Sequence, residues 1–507
     1  MTRKREDPVE MNMKRRILSL SFVLGALLLG LVEAGGAAVQ AVQPQGQSLR
    51  STTPADRLAE PWWAERHEAK LREKASRRVD LVFIGDSITH GWDGSFRPGP
   101  ERLWSAYYGD RNALNLGFSG DRTEHVLWRL GHGEVDGLAP RAVVLMIGTN
   151  NIGHGGQTVE EAEAGVRAVC RSIRAKMPRA KLILLAVFPR QDKGPDVAAK
   201  VEDLNRRIAP LGREPETTFL DIHRVFLEPD GSLSREVMYD LLHPGPVGYI
   251  RWAEALEPTM RRIFGPRPNT AVIPRPGIEE AGYDWMNRHG DVLTLQAFAG
   301  HDLVLIGDSI IHHWGGEPHS RAPRAPEVWD KFFAPRKALN LGFGWDRTQQ
   351  VLWRLEQGEL GLKPPRVAVV LIGTNNLWPG AVRANTDEEI VEGVRAVCEK
   401  IQGLSPRTRI LLLGILPRGA AGDFDRWRIA LVNRQLARLN GKGTVTFLEI
   451  GGHLLGSDGS FLPGVMDDLL HPTAAGYRLL AEAMEPTLAR LLAESGAGHQ
   501  ARQAPAP

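Results

Sequence analysis

The stretch NLGFSGDRTEHVLWRL, residues 115–130, returns as NLGFGWDRTQQVLWRL at residues 340–355. So specific a phrase written twice marks an internal duplication, and its neighbours extend the match in the same order. PWWAERHEAK (61–70) resembles YDWMNRHGDV (283–292), which sets Trp63 and His67 against Trp285 and His289. LVFIGDSITHGW (81–92) matches LVLIGDSIIHHW (303–314), and AVVLMIGTNN (142–151) matches AVVLIGTNN (368–376). YDLLHPGPVGY (239–249) matches DDLLHPTAAGY (467–477). A chain of 507 residues is too long for one ordinary core, and two domains of roughly 200 residues suit it.

Within each copy, short apolar runs alternate with helix-like segments. In the first copy the strand candidates are LVFIG, ALNLG, AVVLMIG, KLILLAVF and TTFLDI. This alternation predicts a parallel sheet covered by helices on both faces, hence two tandem three-layer α/β/α, flavodoxin-like domains with five parallel strands each. In that architecture a site forms at the carboxyl ends of the strands. GDS, GFSGD and GTNN each follow a predicted strand, so they are expected to converge on one crevice. The expected division is domain 1 over residues 55–265, a Pro-rich semi-rigid linker over 266–278, domain 2 over 279–493 and a frayed tail over 494–507. On this reading the linker lets the halves act independently.

Residues 1–41 read as a signal peptide: Lys14-Arg15-Arg16, the apolar run ILSLSFVLGALLLGLV, then small residues with cleavage near Ala41. The chain is therefore expected to be exported, periplasmic or extracellular, with no membrane span after cleavage; an uncleaved segment would anchor it instead. The net charge is +3, and the first 41 residues hold six basic and four acidic side chains, which leaves the body near neutral. Such a body offers no electrostatic footprint for nucleic acid. The cysteines, Cys170 and Cys398, sit in the repeated GVRAVC and read as small buried hydrophobes.

Ser87 lies where a strand ends and a helix begins, so its own N–H and the helix N-terminus face any oxyanion formed there. A serine needs a base held by a third group, and DLLH supplies His243 with Asp240. The second copy offers Ser309, Asp468 and His471 in the same order. Asn150 and Asn375 can give side-chain amide donors, and Gly120 a backbone N–H. Asn151 and Asn376 read as turn or capping residues.

The blocks GDS, GFSGD, GTNN and DLLH resemble those of the SGNH (GDSL) hydrolase superfamily, and the long second block is similar to the platelet-activating factor acetylhydrolase α-subunit family and its bacterial relatives. The resemblance covers nearly all of each copy. It implies Ser87, His243 and Asp240 as a triad and an oxyanion hole of the Ser87 N–H, the Gly120 N–H and Asn150. In the second copy the oxyanion groups would be Ser309, Trp345 and Asn375. It implies no metal and no organic cofactor. The missing G-x-S-x-G speaks against the α/β-hydrolase alternative.

Asp121 with Glu124 reads as a capping box opening the next helix, repeated by Asp346 with Gln349. Leu127, Trp128 and Leu130 read as core. Trp345 stands where the first copy has Gly120. If the position needs a positive φ, Trp is strained there. Three outcomes are open: a reshaped but active pocket, a binding module, or a Trp that packs inward. Trp92, Trp314 and Trp345 are candidate substrate-binding aromatics, and His90 and His312-His313 could line the same crevice.

The reading is an exported tandem serine esterase acting through an acyl-serine on short-chain, above all acetyl, esters of small molecules or polysaccharides. The rivals are a lysophospholipid or platelet-activating-factor-like lipid acylhydrolase and a carbohydrate-binding protein with silent domains. The sequence leaves the oligomeric state open.

Overall fold

The computed structural model describes residues 49–278, 282–361 and 363–500. The signal-peptide segment lies outside these residues.

Ten strands form two separate five-stranded parallel sheets. The first holds β1 (Leu81–Gly85), β2 (Ala113–Gly117), β3 (Ala142–Met146), β4 (Lys181–Leu185) and β5 (Thr217–Leu220), in the order β2-β1-β3-β4-β5. The second holds β6 (Leu303–Gly307), β7 (Ala338–Gly342), β8 (Val367–Leu371), β9 (Arg409–Leu413) and β10 (Val445–Leu448), in the order β10-β9-β8-β6-β7. All five runs chosen from the first copy are strands.

The reason lies in the pleat. Leu81 and Phe83 of β1 join one core cluster, while Val82 and Ile84 join the cluster on the opposite face. In β6, Leu303 and Leu305 part in the same way from Val304 and Ile306. A strand covered by helices on both faces must be apolar at every position, which is why these strands read as unbroken hydrophobic runs. In each order the chain reverses direction across the sheet beside β1 or β6, and the crevice opens there, at the strand ends. Gly117 keeps it tight: a Cβ there would sit 2.2 Å from the His90 backbone nitrogen, so glycine lets helix Ser87–His90 rest directly on β2.

The halves are not held apart by a free linker. Arg267 donates to the Ala106 and Tyr107 carbonyls at 2.7 and 3.0 Å, Asn269 donates to Glu392 at 2.8 Å, and the buried Ala271 accepts from Thr348 at 2.7 Å. Across the boundary, Arg102 bonds Asp425 at 3.1 Å and lies 4.6 Å over the Trp378 ring, and Arg383 bonds Asp110 at 3.1 Å. Phe424 and Ala384 of the second half are buried within a core cluster of the first. A linker sequence rich in proline does not reveal that Arg267 and Asn269 are spoken for, or that the halves are packed against each other. The last helix, Ala474–Gln500, also runs into the stretch expected to fray.

Candidate active site

The GDS turn places Ser87 first in its helix, with the Asp86 carboxylate capping that helix by accepting the Ile88 N–H at 3.0 Å. Burial pushes the Asp86 carboxyl up to about 7, and Asp308 in the second domain shows the same shift from the same cause. The helix is held from behind by Tyr249, whose hydroxyl donates to the Ile88 carbonyl at 2.9 Å; Tyr477 does this for Ile310 at 2.6 Å.

Ser87 Oγ lies 2.9 Å from His243 Nε2, and His243 Nδ1 lies 2.7 Å from Asp240 Oδ2. In the second domain Ser309 Oγ is 2.9 Å from His471 Nε2, and His471 Nδ1 is 2.6 Å from Asp468. The sequence expected these residues to meet, and both sets do. The other Asp240 oxygen accepts the Leu242 and His243 N–H groups at 3.0 and 2.7 Å. Partial burial raises the Asp240 carboxyl, but the hydrogen bonds from His243 outweigh it and leave the group below the ordinary aspartate value. To wrap so tightly, Leu241 takes φ +66° and Leu469 φ +59°, a left-handed conformation that costs a branched side chain about 1 kcal/mol or more.

Asn150 donates one amide N–H to the Asp121 carbonyl at 3.0 Å, and Asn375 does so to Asp346 at 3.0 Å. Because an amide carries two N–H donors, each Asn is pinned against the loop that holds Gly120 or Trp345 and still has a donor to give. That loop is also held by His90, whose Nδ1 accepts the Ser119 N–H at 3.2 Å, and by His312, which accepts from Gly344 at 3.2 Å. Burial, then the nearby Arg66, pushes His90 down to about 4, so the ring is neutral and able to accept. Among the described residues, no group of three or more His, Cys, Asp or Glu is placed to hold a metal ion.

Residues 83–251 and 305–479 match the GDSL-like lipase/acylhydrolase family. The chain belongs to that family. It is 34% identical over 229 residues to the platelet-activating factor acetylhydrolase IB subunit alpha2 of Rattus norvegicus, a match over 45% of this chain and 93% of the relative. The human alpha1 subunit is 32% identical over 203 residues, 40% of this chain and 84% of its own. Among solved structures, a GDSL-like lipase from Bacteroides thetaiotaomicron is 21% identical, covering 39% of this chain and 97% of its own, with a TM-score of 0.33. An acetylxylan esterase from Geobacillus stearothermophilus is 22% identical, covering 37% and 94%, with a TM-score of 0.30. This tandem GDSL-like acylhydrolase is a carboxylic ester hydrolase.

Two expectations need correction. Trp92 and Trp314 are fully buried and cannot touch substrate. Trp92 packs against Tyr249 and Trp252 at ring distances of 4.6 and 5.0 Å, behind helix Ser87–His90. A Trp shortly after a short helix turns inward as easily as outward, and the apolar core wins it. Asp121 does not open a capping box either. The Arg122 N–H is capped by His125 Nδ1 at 3.0 Å, while Asp121 is fully buried and accepts from Trp63 at 2.9 Å, Arg129 at 2.8 Å and Arg57 at 3.0 Å. Asp346 likewise binds Trp285 and Arg354, each at 2.8 Å. Asn151 and Asn376 do cap as expected, though from another element: their side-chain oxygens accept the first N–H groups of helices Thr123–Gly131 and Thr348–Glu356 at 3.2 and 3.1 Å, and their amides donate to the same threonines' hydroxyls at 2.8 and 3.1 Å.

Sequence reading missed Arg57, which donates to the Ser119 carbonyl at 2.6 Å and braces the loop that carries Gly120 from the N-terminal side. It also missed Tyr249 and Tyr477, although the Gly-Tyr that closes each DLLHP block was the available signal.

Trp345 has φ +68° and Gly120 φ +73°. The backbone path is preserved, so the Trp345 N–H points as the Gly120 N–H does, and the indole is carried in a left-handed residue. A Cβ on Gly120 would lie 3.2 Å from the Arg57 guanidinium, so a side chain there would push Arg57 aside by a few tenths of an ångström. Trp345 is 61% exposed and lines the second crevice, so it does not pack inward. Trp345→Gly is expected to stabilise the second domain by about 1 kcal/mol through relief of backbone strain, read from its urea unfolding. A loss of stability instead would mean that indole packing outweighs the strain.

Proposed function

We propose that both domains hydrolyse short-chain, chiefly acetyl, esters through an acyl-serine. The observation that carries this is the Ser–His–Asp geometry, present twice, with an Asn amide tethered to the loop of Gly120 or Trp345 in each domain. Ser87 Oγ attacks the ester carbonyl as His243 Nε2 takes its proton, and Asp240 holds the ring and steadies the imidazolium. The carbonyl oxygen gathers charge against the Ser87 and Gly120 N–H groups and the Asn150 amide. The imidazolium gives its proton to the departing alcohol; the neutral ring then takes one from a water as that water attacks the acyl carbon, and passes it to Ser87 Oγ as the acyl–oxygen bond breaks and the acid leaves. Ser309, His471, Asp468, the Trp345 N–H and Asn375 repeat the cycle.

The cavities support small acyl groups and suggest unlike alcohols. The first, about 270 Å³, is bordered by Phe96, Pro98, Tyr239 and Tyr249. The second, about 510 Å³, carries Asp284, Asn287, Asp291 and Arg321 with the exposed Trp345. Carboxylates and amides around an aromatic face suit a sugar, so O-acetylated glycans are the substrate proposed for the second domain. The basic, apolar and small-residue order of the N-terminus supports export of the enzyme. No helix among the described residues is long and apolar enough to cross a membrane.

The test is p-nitrophenyl acetate hydrolysis by the parent, Ser87→Ala, Ser309→Ala and the double variant. Each single variant is expected to keep part of the rate and the double to fall to background. If Ser87→Ala alone abolishes turnover, the second domain is a binding module and the paired-esterase reading fails.

A further inference from the structure

We propose that the first domain's active site is composite: the loop Ala420–Phe424 of the second domain walls the pocket beside Ser87 and sets the size of ester it accepts. This rests on Ser87 being the working nucleophile.

The pocket touching Ser87 and His243 has Phe96 and Tyr249 on one side and Ala421, Gly422 and Phe424 on the other. The loop is not a passing contact. Phe424 is 3% exposed and is counted in the first domain's core, and a Cβ at Gly99 would lie 2.1 Å from the Phe424 Cβ, so Gly99 makes room for it. Behind Phe424, Asp425 bonds Arg102 at 3.1 Å and accepts the Trp378 indole N–H at 3.0 Å. Asp423 lies 3.6 Å from Arg102 and accepts the Asp425 N–H at 2.9 Å, which fixes the start of helix Phe424–Leu436. The loop is therefore anchored on its far side, while Ala420 and Ala421 stay exposed at the pocket mouth.

The contact is one-sided. The second crevice is lined by second-domain residues alone and is about 510 Å³ against about 270 Å³. The two domains carry matching triads, but only the first is enclosed by its neighbour. A wall of small residues, facing aromatic rings and closed by Phe424, admits a compact apolar group and excludes a long one.

The experiment uses the full chain carrying Ser309→Ala, so that only the first domain turns over, with p-nitrophenyl acetate, butyrate and octanoate. Ala421→Trp, at an exposed loop position, is expected to lower kcat/KM about tenfold or more for octanoate and butyrate and less for acetate. In a Ser87→Ala chain the same substitution is expected to leave second-domain rates unchanged. Phe424→Ala, which widens the pocket, is expected to raise octanoate relative to acetate. An unchanged acyl-length profile in both variants overturns the composite wall and leaves Ser87 as nucleophile. Equal losses in both domains also overturn it, since they report a general disturbance. A Ser309→Ala parent that hydrolyses no ester removes the Ser87 reading and the wall with it.

Discussion

His243→Ala, in a chain whose second domain is silenced by Ser309→Ala, is expected to lose roughly 10⁴-fold or more of kcat on p-nitrophenyl acetate, with little change in KM. The ring sits between Ser87 and Asp240 at 2.9 and 2.7 Å, and among the described residues no other base is in hydrogen-bond contact with the serine. Without it the hydroxyl keeps its proton and the alcohol must leave unprotonated. Asp240→Ala should cost less, roughly 10²- to 10⁴-fold. Its side chain is 41% exposed, so water can take up part of the hydrogen bonding to the imidazole. Steady-state kinetics on the two variants checks both the size and the order. A loss under tenfold for His243→Ala would remove it from the chemistry.

Arg129→Met is expected to destabilise the first domain by about 3–5 kcal/mol, because it removes the cation shared by two buried carboxylates, of which Asp121 keeps only the partly exposed Arg57 as a cationic partner. Arg129 is 1% exposed, pairs with Asp121 at 2.8 Å and with Glu134, and lies 4.1 Å over the Phe118 ring. Asp121 and Glu134 are both fully buried. The carbonyl of Asp121 holds the Asn150 amide, so the same change should loosen the oxyanion loop and lower kcat as well as stability. Arg354→Met should repeat the loss in the second domain, where Arg354 pairs with Asp346 at 2.8 Å and with Glu359. Urea unfolding of the whole chain, followed by tryptophan fluorescence, reads this as an early transition. A shift under about 1 kcal/mol would mean the buried charges are relieved by protonation or water.

These two arginines show where sequence reading stops. The strands, the duplication and the meeting of Ser, His and Asp in each copy were legible because each depends on local pattern: unbroken apolar runs, repeated blocks, and polar residues just after a strand. Asp121 looked like a cap because D-x-x-E before a helix satisfies the local rule, yet a buried Arg129 eight residues on claims the carboxylate. Trp92 and Trp314 looked available because they follow the nucleophile, and only the helix direction shows that they face the core. The GAAGDF loop reads as an ordinary turn. Its place beside Ser87 follows from how two whole domains meet, which no local pattern encodes.

That meeting is head to tail. The first domain presents helix Pro100–Tyr108, and the second presents the segments around Trp378 and Phe424, which is a different face of the same fold. Duplication made the halves alike, but their order in the chain now carries information. A hybrid built from two first units would bring Gln191, Asp192 and Lys193 to where Gly419, Ala420 and Ala421 stand, long polar side chains, two of them charged, against a mouth shaped for alanine. Each copy has thus acquired a position it cannot exchange, and drift in one is read out in the chemistry of the other.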